Sequence, residues 1–297
     1  MRRRSTAPVL ALVAVTAIWG YTFVPVQDAI GLYPLFAFLA VRFGVSTLAL
    51  APFAWRAVLA LPRSGVLAGA GAGLLLAAAY GLQTAGLELT TVSSTGFITG
   101  LYVVFTPLLA LALFRTPVPP VLWAGVALAV AGLLLLNGAP GGSAAGNALV
   151  LGNAFAQALQ IVSMERFAPR YDARALTFLQ MAVCFAGFTV LALALGQAEA
   201  PRGWTVWSAL LVTGIFAGAL GYLVATWVQS RTTAARAALV FTLEAPFAAL
   251  FGVWLAGERL GVLGAAGSAV MLAGILVAEP AAVRALRRLV PARAGGL

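Results

Sequence analysis

The chain contains no histidine and no lysine, a single cysteine, and 8 acidic residues among 297. Each shortage removes a class of chemistry. Without histidine there is no imidazole proton relay and no His-based metal cluster. Without lysine there is no Walker-type phosphate loop, which excludes ATP-driven pumping by this chain alone on that motif. A lone Cys184 forbids an internal disulfide, and in the middle of a helical run it reads as a small packing residue. The sequence also lacks an Asp-rich pair for diphosphate chemistry and a Gly-x-Ser-x-Gly nucleophile turn. An enzyme is not expected, and no metal or cofactor is implied.

Long apolar runs are what the chain does have. Hydrophobic residues make up 62% and charged residues 9%, with a mean hydropathy of +1.02. Uncharged runs cover 5–27, 64–87, 89–114, 175–198, 203–230 and 260–278, and 116–164 holds two more segments around a Gly-rich break. Segments near 34–55 and 237–256 each carry one charge, Arg42 and Glu244. A spanning helix needs about 20 residues to cross roughly 30 Å of hydrocarbon. The runs therefore predict a multi-pass integral membrane protein with helices near 7–27, 34–55, 65–86, 92–114, 119–137, 148–165, 174–196, 205–229, 236–256 and 261–279. Little length remains for a soluble domain.

The net charge of +10 suggests nucleic acid until the arginines are located. One alternating set of loops and tails holds 15 of the 18, the other set holds Arg202 and Arg259, and Arg42 lies inside a helix. That asymmetry is the positive-inside pattern. It predicts ten spans with both termini in the cytoplasm of a bacterial inner membrane, and no nucleic-acid partner. Met1-Arg2-Arg3-Arg4 also resembles the start of a signal peptide, but the 23-residue uncharged run behind it better fits a first spanning helix.

The break from Asn137 to Asn147 is rich in glycine and divides the helices into two sets of five. The expected organisation is a first repeat over 1–138, a linker over 139–147, a second repeat over 148–280 and a basic cytoplasmic tail over 281–297. Five is odd, so the second set starts on the opposite side, and two similar units form an inverted repeat. Gly65, Gly69, Gly73, Ala77 and Gly81 in the third helix, and Gly214 and Gly218 with Gly221 in the eighth, predict close backbone contacts. The fifth and tenth helices carry almost no polar residues and are expected to face lipid or another protomer; monomer and homodimer both remain open.

Polar residues recur on single faces of otherwise apolar helices. Thr95, Thr99, Tyr102 and Thr106 share a face of the fourth helix, and Asn153, Gln157 and Gln160 share one of the sixth. Tyr222, Thr226 and Gln229 line the eighth, Tyr80, Gln83 and Thr84 the third, and Trp19 and Thr22 the first. Such groups are costly in hydrocarbon unless partnered. A single threonine often bonds its own helix, but converging stripes enclose a polar cavity with aromatic walls. The candidate solute contacts are Trp19, Thr22, Tyr80, Gln83, Thr99, Tyr102, Asn153, Gln157, Gln160, Tyr222 and Thr226. Arg42 and Glu244 each lie about 12 Å along a helix from opposite ends, so a structural ion pair and proton coupling through Glu244 are both open. Pro107 and Pro246 remove helical donors and are candidate hinges that leave the carbonyls of Val103 and Thr242 without their usual partners.

Three second-half motifs follow in order: Thr232-Thr233-Ala234-Ala235-Arg236-Ala237-Ala238-Leu239, Leu243-Glu244-Ala245-Pro246 and Gly257-Glu258-Arg259-Leu260. With Ala17-Ile18-Trp19-Gly20, Val41-Arg42-Phe43 and Phe97-Ile98-Thr99-Gly100-Leu101-Tyr102, the chain resembles the EamA family of the drug/metabolite transporter superfamily from Ala7 to Glu279. The resemblance implies an inverted five-plus-five fold, peripheral fifth and tenth helices, and a cavity served by alternating access. It departs once, at Phe114-Arg115-Thr116-Pro117, where the first half lacks a Gly-Glu-Arg motif. The expected function is secondary transport, as an exporter, of a small polar or amphipathic metabolite or drug. A uniporter or importer, a channel and a membrane enzyme are the alternatives.

Overall fold

Where water is absent the backbone must satisfy its own hydrogen bonds, so apolar runs of spanning length fold as helices. The computed structural model describes residues 7–90, 92–137, 142–255 and 261–278, and among the described residues every regular element is helical. The first half comprises α1 (Ala7–Ile30), α2 (Leu35–Leu59), α3 (Arg63–Leu87), α4 (Val92–Gly100), α5 (Tyr102–Phe114) and α6 (Pro120–Asn137). The second comprises α7 (Ala144–Phe167), α8 (Ala173–Ala194), α9 (Trp204–Leu211), a π-helical segment (Val212–Gly221), α10 (Tyr222–Gln229), α11 (Ala234–Phe241), α12 (Glu244–Leu255) and α13 (Val262–Ala278). The Gly257–Leu260 motif, the basic tail and residues 138–141 of the glycine-rich joint lie outside the described residues.

Eight helical stretches are long and apolar enough to cross a membrane. Two of the ten expected spans fall short of that measure for different reasons. The sixth, α7, carries Asn147, Asn153, Gln157 and Gln160, which dilute its apolar character. The tenth, α13, is apolar but only 17 of its residues are described.

Three expected helices are interrupted. The fourth breaks at Leu101, whose N–H reaches Ile98 O (3.1 Å) while its carbonyl accepts Val104 N–H (2.9 Å). Pro107 itself sits inside α5, beyond that break. The ninth breaks at Thr242 and Leu243. Proline at 246 cannot donate to Thr242, and its ring crowds that carbonyl. The carbonyl is not left free, however, since Ala245 N–H bonds it at 3.2 Å in a tighter turn. The eighth contains the π-segment. Its widened turns expose carbonyls to outside donors: Trp19 Nε1–H donates to Ala217 O (3.0 Å), and the Ser46 hydroxyl lies 2.8 Å from Gly214 O. A π-turn within an α-helix often marks a functional region.

Small residues set the closest approaches. A Cβ added to Gly73 on α3 would lie 3.0 Å from the Gln180 backbone of α8, and one on Gly214 3.0 Å from Arg42 O of α2. The fifth and tenth expected helices, α6 and α13, cover one another through small residues. A Cβ on Gly125 would lie 2.8 Å from Gly274 O, and one on Gly267 2.6 Å from Gly132 O. Their outer faces, including Leu134, Val262 and Leu263, remain exposed.

At the arginine-poor end, Tyr33 OH donates to Glu199 O (2.6 Å) and Phe36 N–H to Gln197 Oε1 (3.1 Å), which clasps the α1–α2 turn to the α8–α9 loop. Burial, and secondarily the Glu199 carboxylate, push the Tyr33 phenol above its ordinary range. At the other end α5 closes with Arg115 in the left-handed region (φ 52°, ψ 29°), and its N–H and that of Thr116 bond Leu111 O (3.0 Å) and Ala110 O (3.1 Å). Glycine normally fills that position because it has no Cβ to clash. Arg115→Gly is expected to stabilise the protein by about 1 kcal/mol. A melting temperature in detergent that fails to rise would count against the strain.

Candidate functional site

An aromatic cluster joins the first three helices of one half to the other half. Trp19 of α1 lies 5.2 Å from Tyr222 of α10 and 5.3 Å from Phe241 of α11, centroid to centroid. Tyr222 OH meets Tyr80 OH at 3.1 Å, and Tyr80 packs edge-on against Phe43 at 5.3 Å. The glycines explain why these rings fit: Gly221 leaves room for the Trp19 indole, and Gly20 lets α1 approach the Phe247 backbone of α12.

Arg42 points into this cluster. Its guanidinium carbon sits 5.4 Å from the Tyr80 ring centroid and 5.6 Å from that of Phe43. Aromatic faces attract a cation but satisfy none of its N–H groups, and Arg42 Nε is buried without a hydrogen-bond partner. Glu244 is half-buried at the first turn of α12, and no hydrogen bond to it is made among the described residues. The structural pair envisaged from axial depth is not formed. Among the described residues the ion pair within 4.0 Å is Asp172–Arg174, an exposed contact at 2.8 Å. That contact holds the Asp172 carboxyl below its ordinary range through the Arg174 hydrogen bond. The Arg42 guanidinium is thus held among aromatic rings without a contact ion pair.

A second cluster is built from amides and hydroxyls. Gln83 Nε2–H donates to Thr99 Oγ1 (3.1 Å), Thr99 O–H to Asn153 Oδ1 (3.0 Å), and Asn153 Nδ2–H to Ala79 O (2.8 Å). The chain of bonds runs from α3 through α4 to α7. Every polar group in it acts in its allowed sense.

Other predicted contacts are engaged in helix packing. The Thr22 hydroxyl back-bonds to Trp19 O (2.6 Å). Gln160 Nε2–H donates to Gln180 Oε1 (2.7 Å), and Thr226 accepts from the Thr177 hydroxyl (3.1 Å). Tyr102 is buried, whereas Gln157 is half-exposed and its side chain makes no hydrogen bond among the described residues. The eighth-helix stripe ends in a buried Gln229 whose Nε2 has no partner. Thr177 and Gln180 belong to α8, the seventh expected span, which the polar-stripe reading omits. Their spacing with Cys184 on one helical face is the signal that would have included them.

Comparison with known proteins places these clusters in a family context. The model of the EamA-like transporter family matches residues 6–138 and again residues 144–278. An uncharacterized transporter of Archaeoglobus fulgidus is 30% identical over 274 residues, 90% of this chain and 84% of the relative. A protein solved by crystallography superposes with a TM-score of 0.78 at 20% identity, over 95% of this chain and 99% of that one. At that identity the likeness speaks for the fold alone.

Proposed function

The chain belongs to the EamA-like transporter family, and from that premise we propose a secondary carrier that moves a small polar or amphipathic solute by alternating access. The protein is a multi-pass membrane protein. Its ten spans, in this reading, are the eight apolar helices together with α7 and α13, and both termini face the cytoplasm of a bacterial inner membrane.

Inversion of the two halves is supported by the α6–α13 contact. Gly125 faces Gly274 and Gly132 faces Gly267. Shifting each first-half glycine by 142 residues, Gly125 to Gly267 and Gly132 to Gly274, turns one contact into the other. A two-fold axis between the helices has that effect. The breaks at Leu101 and at Thr242–Leu243 fall at corresponding places in the two fourth helices, which adds to the case.

The observation that carries the reading is the aromatic cluster built from both halves, with Arg42 held against its rings and its Nε buried without a partner. A solute with polar and apolar parts finds aromatic walls from Trp19, Tyr80 and Tyr222, a cation at Arg42 and a carboxyl at Glu244. Gln157 supplies an uncommitted amide, while the Gln83–Thr99–Asn153 chain ties α3 and α4 to α7. Rocking of the halves about this region exposes it to each side in turn. Proton coupling through Glu244 and an export direction complete the proposal. Enzymatic activity is not proposed.

A purified sample in proteoliposomes is expected to show saturable uptake that is accelerated by solute on the opposite side. Flux that is linear in solute concentration and indifferent to counter-flow would instead indicate a pore.

A further inference from the structure

A cavity of ≈ 210 Å³ lies away from the aromatic cluster, at the arginine-rich end. Its walls come from both halves: Thr116, Pro117 and Pro119 of the α5–α6 connection, Glu165 at the end of α7, and Thr233 and Arg236 at the start of α11. Two of its polar atoms, Thr233 Oγ1 and Arg236 Nε, are buried without a partner. Unpaired buried donors are uncommon, and each loses the solvation it would have in water. Glu165 Oε2 takes the Ala234 N–H at 3.1 Å. That bond also shows a carboxylate oxygen seated on the first turn of α11, where the helix dipole favours negative charge.

We propose that this cavity binds an oxyanion, a carboxylate or phosphate group, with its oxygens on the Arg236 guanidinium and the Thr233 hydroxyl. The unpartnered Arg236 Nε–H is a charged donor, and such a donor prefers an anionic oxygen over a cation or a neutral amine. Glu165 opposes the ligand by repulsion and sets the affinity. A soluble anion and the phosphodiester of an anionic lipid share this chemistry. The apolar rim at Pro117, Val118 and Leu122 suits either a small organic acid or a headgroup entering from the bilayer.

The test measures stabilisation and binding by inorganic phosphate and acetate in neutral detergent, and by phosphatidylglycerol against phosphatidylcholine in nanodiscs. Arg236→Gln is expected to weaken binding about tenfold, the worth of one charge-assisted hydrogen bond. Thr233→Val, which keeps every charge, should weaken it less. Glu165→Gln retains an acceptor for Ala234 and should tighten it. This opposition of sign separates ligand binding from a structural role, in which Glu165→Gln and Arg236→Gln would both destabilise the unliganded protein and leave affinity alone. A response to soluble anions, or to phosphatidylglycerol only, supports the site and identifies its source. Should Arg236→Gln fail to fold, Thr233→Val and Glu165→Gln still decide by moving affinity in opposite directions. Affinity unchanged across those two variants, or lost on removing the Glu165 charge, overturns the proposal. Binding here is measured without solute flux, so its failure is distinct from failure of the transport reading.

Discussion

Glu244→Gln is expected to abolish gradient-driven accumulation in proteoliposomes while solute exchange and binding persist. Glutamine has almost the shape of the carboxylic acid but can neither release nor accept the coupling proton. The chain offers no histidine as a substitute, so the proton carrier has to be a carboxyl. Placement supports the prediction. Glu244 sits one residue after the break at Thr242–Leu243, where a small rotation of α12 against α11 swings its carboxyl. Because no contact ion pair or hydrogen bond locks it among the described residues, that motion does not have to break a strong buried interaction. A buried pair in contact would behave differently: removing one partner typically destabilises by about 3–5 kcal/mol through the stranded charge. The amount of folded Glu244→Gln protein is therefore expected to match the parent. Accumulation driven by a proton gradient and counter-flow exchange, measured on the same preparation, provide the decision. Loss of both in proportion to loss of folded protein would assign Glu244 to structure.

Much of this arrangement is legible in the residues, and the failures share a cause. Run length locates the eight long apolar helices because hydrocarbon thickness and backbone satisfaction act on local sequence. The Thr99 and Asn153 stripes point inward for the same reason, since helical periodicity fixes which residues share a face. Partners across helices are another matter. Axial rise gave Arg42 and Glu244 similar depths, but it carries no information on helix rotation, and the Arg42 side chain lies against Tyr80 and Phe43 instead. Nothing in Val212–Gly221 distinguishes a π-segment from an α-helix by composition. The widened turns accompany donors from Trp19 and Ser46, residues far away in the chain. Thr22 illustrates the opposite case, since its hydroxyl is satisfied by its own helix and needs no neighbour. Pro246 was informative about where α11 ends, yet the rebonding of Thr242 O to Ala245 N–H depends on local geometry that a residue count does not supply.

The glycine contact between α6 and α13 yields the other large expected effect. Gly132→Val should sharply lower the yield and melting temperature of folded protein. Even the Cβ of alanine there would meet the Gly267 carbonyl at 2.6 Å, and a backbone atom cannot move aside as a side chain can. Overpacking of a close contact commonly costs about 1–3 kcal/mol, and the branched valine adds two methyl groups at the same point. Gly267→Val attacks the same contact from the other helix, so once the helices have separated for one substitution the second should add little. The double variant is expected to fall well short of the sum, as neighbours in one contact do. Gly125→Val with Gly274→Val, the contact related by the 142-residue shift, should repeat that pattern with a similar magnitude. Similar non-additive penalties in both pairs are what two-fold symmetry requires of these helices. Independent, fully additive losses would mean that each glycine fails for its own local reason, and the inverted relation between the halves would lose its packing support.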